Sequence, residues 1–176
     1  MKRCKVCKEK FTPRFSTLQA TCEKPSCLIE YSQKVKKKEW AAEKKEWKEK
    51  IKPASEWRRE LQAVFNTFIR MRDKGTGCIS CARPLGNKYD AGHYYSVGSY
   101  PNLRYHEHNV HGQCVYCNRD KHGNLIAYRE GLISRIGLDR LNELDAKSSL
   151  PLNITIPDIK DMIQHYRARI KEIKNM

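Results

Sequence analysis

The stretch 78-CISCARPLGNKYDAGHYYSVGSYPNLRYHEHNVHGQCVYCNRDKH-122 decides the fold of this 176-residue chain. It opens with Cys78-x2-Cys81 and, 32 residues later, repeats the spacing in Cys114-x2-Cys117. Two such pairs offer four thiolates to one tetrahedral zinc ion, because each short turn aims two sulfur atoms at the same point. We therefore expect a zinc ion that closes the intervening residues into a loop. Four thiolates leave no open coordination position, so we expect this zinc ion to be structural.

The other four cysteines form a second cluster near the start of the chain, within residues 1–27. This segment is too short for a hydrophobic core, so a metal must supply its folding energy. Disulfides are disfavoured in reducing compartments, and close pairs of thiols favour metal binding instead. The sequence therefore predicts two structural Zn²⁺ ions. The predicted ligands are Cys4, Cys7, Cys22 and Cys27 for the first ion, and Cys78, Cys81, Cys114 and Cys117 for the second.

Helical patterns surround the two cysteine modules. Residues 28–52 are rich in Lys and Glu, which predicts a basic, charged helical arm that Pro53 ends. Ser55 is the expected N-cap of the next helix, which should end before Gly75. Residues 125–136 and 138–146 are predicted as two short helices. Two apolar stripes are expected in the core: Trp57, Leu61, Val64, Phe65, Phe68 and Ile69, and Ile159, Met162, Ile163, Tyr166, Ile170 and Ile173.

The charge of the chain favours nucleic acid as a partner. It carries 35 Lys+Arg against 20 Asp+Glu, a formal net charge of +15. Residues 1–76 hold 21 of the basic and 10 of the acidic side chains, so most of the excess lies there. Phosphates exchange bound counterions for Lys and Arg, which makes an excess of this size typical of nucleic-acid binding. A merely solubilising surface is the alternative interpretation.

The sequence shows no segment suited to a membrane or to secretion. It has no apolar run of 18 residues, and the start, MKRCKVCKEK, lacks the apolar region of a secretory signal. We expect a cytoplasmic protein with no membrane association.

Side chains capable of phosphodiester chemistry lie inside the zinc-closed loop and just beyond it. The order His93, Asn109, Asn118 and Lys121 resembles the H-N-N form of the HNH, or ββα-metal, nuclease motif. DAGHYY, starting at Asp90, is predicted as a short strand, and Cys114 to His122 as a helix. The resemblance implies a mostly helical α+β fold. Its centre would be a zinc-stabilised HNH core, with the N-terminal zinc module and further helices on its flanks.

A longer resemblance points to one family. The segments PASEW, FIRMRD, CISC, DAGHY, LRYHEHNVHGQCVYCNRDKHGNL and YREGLISRIG are similar to the phage NinG family, also called Rap, of lambda-type recombination endonucleases. They cover most of residues 53–137, and the beginning and end of the chain are similar more loosely. The predicted parts are a zinc module at 1–27, the arm at 28–52, an HNH nuclease domain at 53–146, and a loop and amphipathic helix at 147–176.

The resemblance also implies a role for each site residue. His93 is the expected general base for a water molecule that attacks the phosphate, which suits an imidazole titrating near neutral pH. Asn109 matches the asparagine that braces the loop, and Lys121 would contact phosphate. Asn118 matches a ligand of the catalytic Mg²⁺ or Mn²⁺ ion. Many HNH enzymes carry Asp or His immediately before the base, where this chain has Gly92; Asp90 and His122 are the candidates for the further ligands.

The expected function is metal-dependent endonuclease cleavage of branched DNA, such as Holliday junctions and D-loops, during phage recombination in the bacterial host. Two alternatives stay open: an HNH nuclease or nickase for unbranched duplex DNA, and a non-catalytic zinc protein that binds DNA or RNA. The resemblance further implies phage or host recombination proteins as partners. A homodimer is plausible, since resolving a four-way junction needs two cuts.

Overall fold

The computed structural model describes residues 1–175, which fold as two compact units. The first unit is Met1–Lys52, and the second begins at Pro53. The protein is an α+β structure in which helices dominate and the sheets have only two strands each, as expected from the sequence. Within the described residues, no helix is both long enough and apolar enough to cross a membrane.

The first unit consists of a small cysteine module and one long helix. Strand β1 (Lys2–Arg3) pairs antiparallel with β2 (Lys10–Phe11), and helix α1 spans Pro25–Ile51. The buried residues of the module are three of its cysteines, Cys4, Cys22 and Cys27, and the polar Thr21. Nothing larger forms a core here, which is consistent with a fold that depends on what the thiols bind.

Prolines set both ends of helix α1. Pro25 occupies the first turn, where a missing N–H costs nothing, and Lys52 is extended because Pro53 follows it. Ion pairs one turn apart support the exposed surface, with Lys50 Nζ 2.8 Å from Glu46 Oε1. Three large apolar residues of this helix are exposed: Trp40, Trp47 and Ile51.

The second unit has its main core between helix α2 (Ala54–Arg72) and helix α5 (Ile156–Asn175). The predicted stripes are confirmed, because every one of their residues is buried or packs against the buried cluster. The Phe65 and Tyr166 rings meet edge to face with centroids 5.0 Å apart. A second cluster joins the hairpin region to helices α3 (Leu125–Ile136) and α4 (Leu138–Lys147); it contains Ile79, Leu103, Tyr128, Leu132, Leu141 and Leu144.

Two helix starts differ in how they are capped. At α5, Thr155 and Asp158 form a reciprocal cap, with Thr155 N donating to Asp158 Oδ2 at 2.8 Å. At α2, the prediction of Ser55 as N-cap is wrong. The helix already begins at Ala54, and Pro53 occupies the cap position with no side-chain cap. The fixed φ of proline, −69° here, sets this boundary instead of a hydroxyl group.

A two-stranded hairpin occupies the middle of the second unit. Strand β3 (Tyr89–His93) pairs antiparallel with β4 (Val110–Cys114), and His93 lies opposite Val110. The expected helix from Cys114 to His122 is shorter than predicted, since only Tyr116–Asp120 forms a π-helical turn. It stops because His122 and Asn124 adopt left-handed backbone angles, with φ of 47° and 46°.

Asp73, at the end of α2, connects that helix to the hairpin. Its carboxylate is 5% exposed and accepts hydrogen bonds from the Gly112 amide at 2.6 Å and from Arg72 Nε at 2.7 Å. Burial raises the pKa of Asp73, but hydrogen bonds from His111, Arg72 and Gly112 lower it more, and the net shift is downward. A carboxylate so held stabilises the fold in its charged form.

We expect Asp73→Asn to lower the free energy of unfolding by about 2 kcal/mol at pH 7, because hydrogen bonds to a buried charge are lost. A lowered carboxyl pKa stabilises the fold above the unfolded-state value of about 3.9, and this contribution is lost as pH falls through the folded-state pKa. The difference from the unmutated protein should therefore narrow below about pH 4. Urea unfolding at several pH values measures this difference in the free energy of unfolding. Asp161→Asn is the control, because Asp161 is exposed. A pH-independent difference would contradict this account.

Candidate functional site

One tyrosine connects both strands of the hairpin to α3. The Tyr128 side chain is fully buried in α3, and its hydroxyl donates to the Gly92 carbonyl at 2.8 Å and accepts from the His111 amide at 3.1 Å. One side chain thus bonds both strands at the level where Gly92 pairs with His111. The position of His93, the next residue on β3, follows from this contact.

The second cysteine cluster closes the segment that contains the hairpin. The ligand atoms of Cys78, Cys81, Cys114 and Cys117 all lie within 4.8 Å of one another, and Cys81 Sγ is 3.9 Å from Cys114 Sγ. Tetrahedral zinc with Zn–S bonds of about 2.3 Å requires sulfur atoms about 3.8 Å apart, so this group could hold zinc. The Cys114 amide points at Cys78 Sγ at 3.3 Å, a contact that favours a thiolate.

The first cluster has the same character. The ligand atoms of Cys4, Cys7, Cys22 and Cys27 also lie within 4.8 Å of one another, and Cys7 Sγ is 3.7 Å from Cys22 Sγ. It too could hold zinc. The backbone amides and neighbouring thiols around Cys4 lower its pKa to about 6, although burial acts in the opposite direction.

A cavity of about 520 Å³ opens beside the end of β3. It brings together three of the predicted site residues: His93, Asn118 and His122. Aromatic and apolar side chains form much of the remaining wall; they include Tyr94, Tyr95, Tyr100, Val97 and Leu125. Residues up to 29 positions apart in the chain therefore line the same cavity.

His93 is held in one orientation. Its Nε2 lies 3.0 Å from the Arg104 carbonyl oxygen, which can only accept a hydrogen bond, so Nε2 carries the proton in the neutral ring. Nδ1 is then the basic nitrogen. Burial lowers the pKa of His93, and backbone hydrogen bonds to Arg104 and Ala91 oppose this shift without cancelling it. The imidazole is consequently neutral at physiological pH and can accept a proton.

Asn118 is oriented by Asp90. Asn118 Nδ2 donates to Asp90 Oδ2 at 2.9 Å, which leaves the amide oxygen Oδ1 free to face another group. Arg119 donates to the same carboxylate from Nε at 2.8 Å and from Nη2 at 2.9 Å. The Arg119 contacts are the main reason that the pKa of Asp90 lies below its ordinary value.

Asp90 itself does not line the cavity. It precedes His93 by three residues on β3, and side chains an odd number of positions apart leave opposite faces of a strand. Its link to the cavity therefore runs through Asn118.

Two further predicted residues also lie outside the cavity lining. Asn109 is fully buried and braces the loop, since its Oδ1 accepts from the Tyr95 amide at 2.8 Å and its Nδ2 donates to the carbonyls of Tyr95 and Leu103 at 3.0 Å. Lys121 is exposed, with Nζ 5.3 Å from the centre of the Tyr116 ring.

Gly92 has a structural reason to be glycine. A Cβ atom at this position would lie 2.2 Å from Gln113 Oε1 and 2.9 Å from Gln113 Cβ. Gln113 cannot easily withdraw, because it is fully buried and its Nε2 donates to Ser80 Oγ and to the Gly123 carbonyl. The hairpin therefore has no room for an acidic side chain directly before His93.

Sequence reasoning missed two residues that shape the site, Tyr128 and Arg104. Tyr128 falls inside an ordinary helical pattern, and Arg104 acts on His93 through its backbone carbonyl, which no residue type reveals. Arg104 lies in the loop between β3 and β4. The signal that the sequence offered was that this loop must return past His93 to reach the second strand.

These features define a mostly helical α+β protein with two cysteine sites suited to zinc. A profile of the family described as "Bacteriophage Lambda NinG protein" matches residues 1–176, and the chain belongs to this NinG family. "Protein ninG" of Escherichia phage 933W is 35% identical over 190 residues, which is 99% of this chain and 94% of the phage protein.

Two further relatives align over a shorter region. "Protein ninG" of Escherichia phage lambda is 40% identical over 125 residues, covering 71% of this chain and 61% of the relative. "Protein ninG" of Salmonella phage P22 is 38% identical with the same coverage. No solved structure is significantly similar to this chain.

Proposed function

We propose that this protein is a metal-dependent DNA endonuclease of the HNH class that cuts branched DNA during phage recombination. The observation that carries the proposal is the cavity that His93, Asn118 and His122 line together, with His93 Nε2 held by the Arg104 carbonyl. The restriction to branched DNA, such as Holliday junctions and D-loops, rests on the resemblance to recombination endonucleases. We extend the proposal to the cytoplasm of the bacterial host, to a possible homodimer, and to phage or host recombination proteins as partners.

In this mechanism His93 is the general base. A water molecule beside Nδ1 loses its proton to the imidazole as its oxygen attacks the scissile phosphorus. The Arg104 carbonyl holds the opposite ring nitrogen, so the basic nitrogen does not rotate away during the transfer. Burial keeps the ring neutral before the reaction.

The residues present fit a single divalent cation. Asn118 Oδ1 and the His122 imidazole would hold it, and such a donor set with an oxygen ligand and open water positions suits Mg²⁺ or Mn²⁺. When bound, the cation stabilises negative charge on the phosphate and on the leaving oxygen. We propose that Asp90 acts by orienting the Asn118 amide, because their hydrogen bond fixes which end of the amide faces the cavity. Lys121 would contact phosphate from the rim, and Asn109 keeps the loop in place.

A cleavage assay tests the proposal. The purified protein is incubated with a synthetic four-way junction and with a linear duplex of matched sequence, each with Mg²⁺, with Mn²⁺ and without added metal. We expect metal-dependent cutting of the junction and much slower cutting of the duplex. Equal cutting of both substrates would favour a nuclease for unbranched DNA. Binding without cutting under either metal would indicate a non-catalytic zinc protein and would overturn the proposal.

A further inference from the structure

An arginine-lined groove lies on the exposed side of α2. Its lining residues recur at three- to four-residue intervals along one face of the helix, and Arg104 completes it from the loop between β3 and β4. The volume of the groove is about 440 Å³. The lining contains no carboxylate; it consists of Ser55, Arg58, Arg59, Gln62, Ala63, Asn66 and Arg104.

The polar side chains of the groove hold Arg104 in position. Gln62 Nε2 donates to Asn66 Oδ1 at 2.7 Å, which turns Gln62 Oε1 toward Arg104, whose Nε donates to it. The guanidinium carbon of Arg104 lies 5.4 Å from the centre of the Tyr105 ring. Neither Nη group of Arg104 has a hydrogen-bond acceptor among residues 1–175, so the outer edge of a fixed guanidinium faces the groove.

The positive charge of the groove is not neutralised within the described part of the chain. No carboxylate there lies within 4.0 Å of the side-chain nitrogens of Arg58, Arg59 or Arg104. Arginines on neighbouring surfaces are paired, for example Arg167 with Glu60 at 2.7 Å and Arg169 with Glu107 at 2.7 Å. The positive charges of three guanidinium groups around one groove repel each other, and an anion bound in the groove would offset this repulsion.

The groove is joined to the candidate site through the main chain. The carbonyl of Arg104 accepts the hydrogen bond from His93 Nε2 at 3.0 Å, while its side chain extends into the groove. Arg104 therefore contributes to both places, with its carbonyl oxygen to the position of His93 and with its side chain to the groove.

We infer that this groove binds the sugar–phosphate backbone of the DNA strand that enters the candidate site, with Arg58, Arg59 and Arg104 each contacting a phosphate. Guanidinium groups suit this task because their N–H donors match two phosphate oxygens at once. The contacts carry no base information, so the groove positions the strand and does not select sequence. The inference rests on the proposed function, since it takes DNA as the ligand.

The test measures binding separately from cleavage. Affinity for the four-way junction and for the linear duplex is measured without added divalent metal over a range of salt concentrations. We compare the unmutated protein with Arg58→Gln/Arg59→Gln, two exposed substitutions that should leave the fold unchanged. The control, Arg83→Gln/Lys171→Gln, removes the same charge from exposed positions outside the groove.

We expect the groove variant to bind both DNAs more weakly. The negative slope of log affinity against log salt should become shallower by about 1 for each arginine removed. The control variant should match the unmutated protein. Neutral methylphosphonate linkages placed beside the cut should weaken binding by the unmutated protein but have less effect on the groove variant, because the contact is already absent. Arg104→Gln should repeat the loss of slope.

Equal slopes for the groove and control variants would overturn the inference. An unmutated protein that fails to bind DNA would overturn both the inference and the proposed function. Binding that depends on the groove in a protein that cuts no substrate would support the inference and would reject only the nuclease proposal.

Discussion

Replacing His93 with alanine is expected to slow junction cleavage by at least about 10²-fold, the lower end of what general acid–base catalysis contributes. The physical reason is the loss of the ring nitrogen Nδ1, which is the proton acceptor when Nε2 donates to the Arg104 carbonyl. DNA affinity should stay within about twofold, because neutral His93 provides no charge to the phosphate backbone. Single-turnover cleavage and equilibrium binding measure the two quantities separately.

The pH profile adds a check that a purely structural role would not satisfy. The neutral imidazole is the active form, and burial lowers the pKa of His93 below its ordinary value. Cleavage should therefore persist as the pH falls below about 6.5 and decline only when it passes through the lowered pKa. His165→Ala is the matched control, as His165 is exposed and lies on α5. A His93→Ala variant that cuts at the normal rate would eliminate the general-base mechanism.

Local spacing made much of the architecture predictable. The two cysteines of each pair are separated by only two to four residues, so the turn that brings their thiols together is a local property of the sequence. The apolar residues of α2 recur every three to four positions, which places them on one face of the helix, and that face is buried in the core. The short π-helical turn after β4 was not predictable in this way, because it ends at left-handed His122 and Asn124, residues that also occur inside regular helices.

The candidate site was likewise predictable only in part from the sequence. The resemblance to the HNH motif predicted that His93 and Asn118 lie together, with His122 one helical turn after Asn118, and all three line one cavity. The role of Asp90 was harder to assign. Its distance of three residues from His93 places it on the other face of β3, where it meets Asn118 and Arg119. Contacts such as Tyr128 to Gly92 join positions 36 residues apart, and no periodic pattern records them.

The second large effect is expected from the zinc-type cluster at the base of the hairpin. Cys78→Ser should lower the zinc content from about two ions per chain to about one and should unfold the second unit near room temperature. Structural zinc sites contribute about 10–16 kcal/mol of apparent binding free energy, which equals or exceeds the total stability of a typical domain, about 5–15 kcal/mol. Elemental analysis measures the metal, and circular dichroism with thermal unfolding measures the fold.

The reciprocal variant Cys4→Ser serves as the control, because it should also remove one ion but spare the second unit. The two clusters lie in separate compact units, so their losses should be independent. Cys78 receives the Cys114 amide hydrogen bond, and amide contacts lower its pKa to about 7 in spite of burial, so a thiolate is favoured there in the folded chain. Serine cannot provide that anion at neutral pH. A Cys78→Ser protein that retains about two zinc ions and its thermal transition would show that these four thiols do not bind a zinc ion on which the second unit depends.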